Sequence, residues 1–113
     1  MTRPGRTDER NTMTRLTVIA TLRAQAGHED VLGEQLQALV APTRREPGCL
    51  DYDLHRSNDD PAEYVFYENW IGKDDLDKHL QMPHMRAFAE LAPGLLDGPV
   101  RTQLLTMFGE PAR

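Results

Sequence analysis

Residues Ala62 to Ile71, AEYVFYENWI, constrain the fold of this chain more than any other stretch. The run is rich in aromatic and β-branched side chains and free of Gly and Pro, so it reads as a strand. Side chains alternate across a strand. Tyr64, Phe66, Glu68 and Trp70 therefore line one face, and Val65, Tyr67, Asn69 and Ile71 the other. Val100 to Phe108 has the same character, with Leu104 and Phe108 on one side and Leu105 and Met107 on the other. An antiparallel sheet backed by helices on one side needs only that side to be apolar. Here both sides are apolar, and no spare element remains to cover the second. A second copy packed sheet to sheet is the economical cover, so a homodimer is expected.

The remaining elements follow from period and punctuation. RLTVIATLR, residues 15–23, reads as a first strand with Leu16, Val18, Ala20 and Leu22 on one face. After Ala26-Gly27-His28, the acids Glu29 and Asp30 open a helix whose stripe is Leu32, Leu36, Leu39 and Val40. Pro42 weakens or kinks that helix, and Glu46-Pro47-Gly48 ends it. Cys49 to Arg56 alternates as a strand, with Leu50, Tyr52 and Leu54 opposite Asp51, Asp53 and His55. Ser57 to Pro61 is dense in turn formers. Beyond Gly72, Asp74 suits the N-cap of a short helix carrying Leu76, His79 and Leu80. Pro83 suits the first turn of another, with Met85, Phe88 and Leu91 or Ala92 buried, and Pro93-Gly94 and Gly98-Pro99 bracket a loop. The order β-α-β-β-α(α)-β predicts an α+β fold of the ferredoxin-like split βαβ type, an antiparallel sheet with helices on one face. Residues 1–14 read as a flexible tail without a secretory signal, 15–109 as the domain, and 110–113 as a short C-terminal tail.

Charge and composition exclude several functions. Nine acids fall between Asp51 and Asp77 (Asp51, Asp53, Asp59, Asp60, Glu63, Glu68, Asp74, Asp75, Asp77) against Arg56 and Lys73. That region repels phosphate backbones, so nucleic acid is not an expected partner. No apolar run approaches the ~20 residues needed to span a bilayer, and no membrane partner is expected. A single cysteine, Cys49, forms no intrachain disulfide and suits a reducing, cytoplasmic setting.

The chain carries no GxGxxG, P-loop, CxxC, HExxH or GxSxG, so no cofactor or metal is expected from a motif. Its chemistry must rest on titratable side chains. His79 shares a helical face with Leu76 and Leu80 and should point at the sheet. It reads either as a core histidine with one hydrogen bond or as a general base. Trp70, at the end of its strand, is either core filling or, with Phe66 or Tyr67, the wall of a pocket in which His79 is the polar group. Glu68 is a partner for Arg56 or a polar group inside that pocket. His55 sits on the acidic face of its strand, where ion pairing with Glu68 or Asp53 competes with catalysis. Five residues separate His84 from His79, which on one helix puts them on different faces and weakens a two-histidine metal site. Asn69 faces away from Trp70 and would need a bulge or a dimer seam to act.

EPGCLDYDLHRSNDDPAEYVFYENW followed by KDDLDKHLQMPHMRAF resembles the antibiotic biosynthesis monooxygenase domain, and its quinol-monooxygenase branch in particular. The resemblance spans about Leu16 to Phe108, and its hallmarks here are Glu46-Pro47-Gly48-Cys49, Tyr67-Glu68-x-Trp70, His79, and Pro83-His84 before Phe88. It implies a dimeric α+β barrel with one pocket per subunit. It also implies oxidation of a quinol-type or polycyclic phenolic compound by O2 without a cofactor. In that reading His79 and Trp70 are catalytic, and Tyr67, Phe66, Glu68, Asn69, His55, His84 and Phe88 bind substrate. A haem-degrading branch resembles this chain in its Trp and His but has an Asn on the first strand, absent from VIATLR. An isomerase branch acting on small phosphorylated diketones would need a cationic cradle, for which Lys73, Lys78 and Arg86 are a thin supply. The alternatives are thus an isomerase using His79 as proton shuttle, or a non-catalytic dimeric binding protein.

Overall fold

The computed structural model describes residues 15–112; the N-terminal stretch read as a tail, residues 1–14, and Arg113 lie outside them. The elements run β1 (Leu16–Arg23), α1 (Glu29–Gln37), α2 (Val40–Arg44), β2 (Cys49–Arg56), β3 (Glu63–Trp70), α3 (Lys73–His79), α4 (Pro83–Leu95) and β4 (Arg101–Thr106). One four-stranded antiparallel sheet has the order β2-β3-β1-β4, the arrangement expected of a ferredoxin-like α+β domain.

The face of β1 assigned from alternation is the buried one: Val18, Ala20 and Leu22 lie against Leu32, Leu36 and Leu39. β3 supplies Tyr64, Phe66 and Trp70 to the same core, and the helices lie over it. The helix read over residues 29–45 is two helices, with Ala38 and Leu39 between them. Pro42 withholds the amide that would bond the Ala38 carbonyl, which weakens the helix there.

Three details differ from the reading of the sequence. The register of β2 shifts between Cys49 and Asp51, so Leu50 is the extra residue and lies exposed while Tyr52 is buried. Gly72, not Asp74, is the N-cap of α3, and Asp74 and Asp75 sit in its first turn. Pro93-Gly94 does not open a loop, for α4 continues to Leu95. That last turn is held from outside: Leu95 is buried, and the Gln25 amide donates to its carbonyl at 2.8 Å. On α4, Phe88 and Leu95 are buried and Ala92 packs on the core, whereas Leu91 faces out.

Candidate functional site

Between the sheet and α3–α4 lies a cavity of about 570 Å³. Its wall is mainly aliphatic and aromatic, from Val18, Leu36, Phe66, Met85, Phe88 and Leu96 among others. Polar groups are few: Tyr52, Glu68 and His79, with Thr102 also on the wall. An apolar cleft with a few convergent polar groups is the usual build of a small-molecule site.

Each polar group has a fixed setting. Trp70 is fully buried, and its indole Nε1 donates to Glu68 Oε1 at 2.9 Å. Strand period places Glu68 and Trp70 on one face, two residues apart, which makes this bond possible. Burial, assisted by the nearby Glu46 carboxylate and opposed by the Trp70 bond, pushes Glu68 up to about 7. Its carboxyl therefore exchanges a proton near neutral pH. Tyr52 stacks on Phe66 with ring centroids 4.5 Å apart and meets the His79 ring edge-on at 5.4 Å. Burial holds the Tyr52 phenol well above its ordinary range. Cys49 is pushed up to about 11 by burial and by Glu46 and Glu68, so it is a thiol at neutral pH and not a nucleophile.

His79 is 2% exposed and rests on Trp70, with ring centroids 4.7 Å apart. Its Nδ1 lies 3.0 Å from Glu46 Oε2. With the Nδ1 proton on that bond, the neutral ring turns a bare Nε2 elsewhere. Burial lowers the imidazole below its ordinary value, against the raising effect of Glu46. His84 Nε2 lies 2.8 Å from the same Glu46 oxygen and 3.1 Å from Thr43 Oγ1.

His79, Phe66, Glu68 and Phe88 are thus at the cavity. Trp70 is behind the wall rather than on it and touches the cavity's polar groups through Glu68 and His79. Tyr67, Asn69 and His55 are not at the cavity. Tyr67 is on the opposite face of β3 and 39% exposed. Asn69 is on that face too, accepting from the Thr17 hydroxyl and donating to Asp51 Oδ2 at 3.0 Å. His55 is exposed on β2 opposite Val65, and Glu68 is on the other side of the sheet. Glu68 is not a partner of Arg56, whose guanidinium bonds Asp30 and the Pro61 carbonyl.

The separation of His79 from His84 is also corrected. They do not share a helix: α3 ends at His79 and α4 starts at Pro83, so the turn between brings both rings to Glu46. Their Nδ1 and Nε2 and the Glu46 oxygen lie within 4.8 Å of one another, the composition of a two-histidine, one-carboxylate centre. Here those atoms are engaged in hydrogen bonds with one another. Glu46, Thr43 and Tyr52 are the site residues that sequence reasoning missed. Glu46 reads as a helix stop and as the start of a family hallmark, with no role in the site assigned to it; Tyr52 reads as part of the apolar face of its strand, and no pattern singles out Thr43.

The residues matched by the family model described as antibiotic biosynthesis monooxygenase are 15–91, which include Tyr52, Glu68, His79 and His84. The chain belongs to the antibiotic biosynthesis monooxygenase family. A Mycobacterium tuberculosis protein named "Putative monooxygenase Rv0793" is 33% identical over 95 residues, 84% of this chain and 93% of that one. The Escherichia coli protein named "Probable quinol monooxygenase YgiN" is 32% identical over 89 residues, covering 70% of this chain and 86% of its own. An uncharacterised Synechocystis protein is 32% identical over 68 residues, and the chain spans only 46% of that relative's length. Among solved structures, PA3566 from Pseudomonas aeruginosa superposes with a TM-score of 0.83 at 37% identity, over 87% of this chain and 98% of that one. The Rv0793 structure follows at 0.81 and 31%, over 88% and 100%. These likenesses support a monooxygenase-like role. In this member of the antibiotic biosynthesis monooxygenase family, no described helix is long and apolar enough to cross a membrane.

Proposed function

We propose that the protein is a monooxygenase that oxidises a quinol-type or phenolic aromatic compound with O2, using no cofactor. The observation that carries this reading is an apolar, aromatic-walled cavity with two titratable groups, Glu68 and His79, among its few polar ones. Ground-state O2 is a triplet and reacts poorly with closed-shell molecules, but an electron-rich phenolate can pass it one electron and recombine with the superoxide formed. For a hydroquinone the balance is hydroquinone plus O2 to hydroxyquinone plus water. One oxygen atom enters the ring and the other leaves as water. The substrate supplies all the electrons.

The protein's share is to bind the ring, take the phenolic proton and exclude water. Phe66, Tyr52 and Phe88 suit the flat ring, and Nε2 of His79 is the base. Glu68, poised about 7, returns a proton to the departing oxygen. The test is O2 uptake over a panel of hydroquinones and anthrone-like phenols. Uptake above the protein-free rate is expected, falling about 100-fold in His79→Ala. Uptake equal to the protein-free rate for every substrate would sink the reading. Exchange of a diketone proton into D2O without O2 uptake would favour an isomerase in its place.

The working unit proposed is a homodimer. Support comes from the apolar groups the sheet leaves exposed, Tyr67, Leu104, Leu105, Met107 and Phe108. A small aromatic compound, O2 and a second copy are the partners of this reading, and the cytoplasm its setting.

A further inference from the structure

The cavity is longer than the one ring that the proposed chemistry needs, and its two ends differ in kind. We propose that the substrate is a single phenolic ring carrying an aliphatic chain. The ring lies at the end formed by Tyr52, Glu68 and His79, and the chain runs along the end formed by Leu22, Ala92, Leu96 and Val100. The inference rests on the monooxygenase reading for the ring and adds the chain.

Strand register gives the length. Glu68 on β3 pairs with Val18 on β1, and Val18 is four residues from Leu22. Thr21 pairs with Arg101 on β4, which brings Val100 to the Leu22 end. Glu68 and Val100 are both on the cavity wall, two strand spacings and four residues of rise apart, a diagonal of about 16 Å. Helix α4 runs the same way. Met85 is at the His79 end, Phe88 follows, and Ala92 and Pro93 lead to Leu96, which bridges to Ala24 just past β1. A single hydroxylated ring fills less than half of that span.

The wall changes along it. At the near end Tyr52 stacks on Phe66 and meets the His79 ring, with Glu68 alongside. Flat faces and hydrogen-bonding groups of this kind orient one ring. Among the described residues, those lining the far end are neither aromatic nor titratable. The backbone there is already engaged. The Gln25 side-chain amide donates to the Pro93 and Leu96 carbonyls at 3.1 and 3.0 Å, and the Gln25 backbone amide to that of Leu95. Thr102, opposite Ala20, adds a hydroxyl midway. Such an end gives dispersion contacts and excludes water, which a run of methylenes accepts without leaving a polar group unpaired. A fused-ring body would gain there only by stacking, and the aliphatic wall presents no π face to it. Val100 is 41% exposed, so a chain longer than the cavity passes out beside β4.

The test is calorimetric binding of para-alkylphenols, methyl to decyl, to the full-length protein under argon, where no oxidation occurs. One site per chain is expected. Each methylene buried should tighten binding about three- to fourfold. The rise should level off after about six to eight carbons, when the tip passes Val100. Ala92→Phe fills the far end and should cancel most of the rise. A dissociation constant constant to within about twofold from methyl to octyl overturns the proposal. So does a rise that continues through decyl and ignores Ala92→Phe, which marks non-specific partition. Tighter binding of a three-ring anthrol than of octylphenol also overturns it, in favour of a fused-ring occupant. The wild-type series decides the matter even where Ala92→Phe does not fold. A levelling rise in a protein that consumes no O2 keeps the chain site and removes the monooxygenase reading. O2 uptake with a flat series does the reverse. With alkylhydroquinones as oxidation substrates, KM should fall as the chain lengthens while kcat holds, the pattern of binding made equally in ground and transition states.

Discussion

Glu68 is the residue where burial does most chemical work, because its carboxyl has one donor, the Trp70 indole, and little water. A folded-state value of about 7 lies above the ordinary 4.5. The folded protein then binds more protons than the unfolded chain between those limits. The stability tied to Glu68 is thus fully present below about 4.5 and is lost as pH rises through about 7. His79 has the opposite sign: burial depresses its value, so its share is present above the ordinary imidazole value and lost as pH falls. Glu68→Gln keeps the Trp70 bond and removes the charge. Urea unfolding at a series of pH values should show the wild type losing up to about 3 kcal/mol relative to this variant between pH 4.5 and 8. Parallel pH curves for the two proteins would mean that Glu68 is hydrated. In the oxidation assay the same variant should lose the rate step near pH 7, read as a flat limb in kcat against pH.

At the scale of elements, α1 is seated on β3 through a glycine. A Cβ on Gly33 would run into the ring and hydroxyl of Tyr64. That ring cannot retreat cheaply, since it is 5% exposed and its hydroxyl donates to the Glu29 carbonyl at 3.0 Å. Replacing Gly by Ala in an open helix gains about 0.5–1 kcal/mol. Gly33→Ala is expected instead to lose about 1–3 kcal/mol in urea unfolding, and Tyr64→Phe in that background should recover part of it. The sequence could not announce this contact, because Gly33 lies inside a well-formed helical pattern and its reason is across the interface. Strand faces were legible for the opposite cause: a period of two puts Phe66, Glu68 and Trp70 together whatever surrounds them. The site was legible only where the period held. The helix break at Leu80 to Met82 hid the meeting of His79 and His84. The bulge at Leu50 left Tyr52 facing inward without its neighbour. Glu46 meets two histidines that lie 33 and 38 residues further along the chain.

At the scale of the whole molecule, the helices cover one face of the sheet and leave the other bare. β4 is exposed along its whole length, and beyond it Phe108 is 97% exposed. Leu104 pairs with Val18 and so points to the helical side, while Leu105 pairs with Thr17 and points to the far side. The far side also holds Ile19, Val65 and Tyr67, and its Thr17–Asn69–Asp51 network bonds those three polar groups to one another. Polar groups already bonded to one another lose less when the surface around them is dried. Two copies related by a twofold axis would bury both far faces together, and the exposed end of one β4 would lie against its partner. Fully burying one Phe side chain is worth about 1.5–3 kcal/mol. Phe108→Ala occurs twice in a symmetric dimer, so its dissociation constant should rise by more than about 100-fold. Leu105→Glu, which puts a charge on the far face of the sheet where the proposed seam would lie, should give monomer throughout. Sedimentation equilibrium over a thousandfold concentration range reads both effects. A wild-type mass of one chain at micromolar concentration would remove the dimer. A dimer indifferent to Leu105→Glu would place the seam elsewhere than on the sheet.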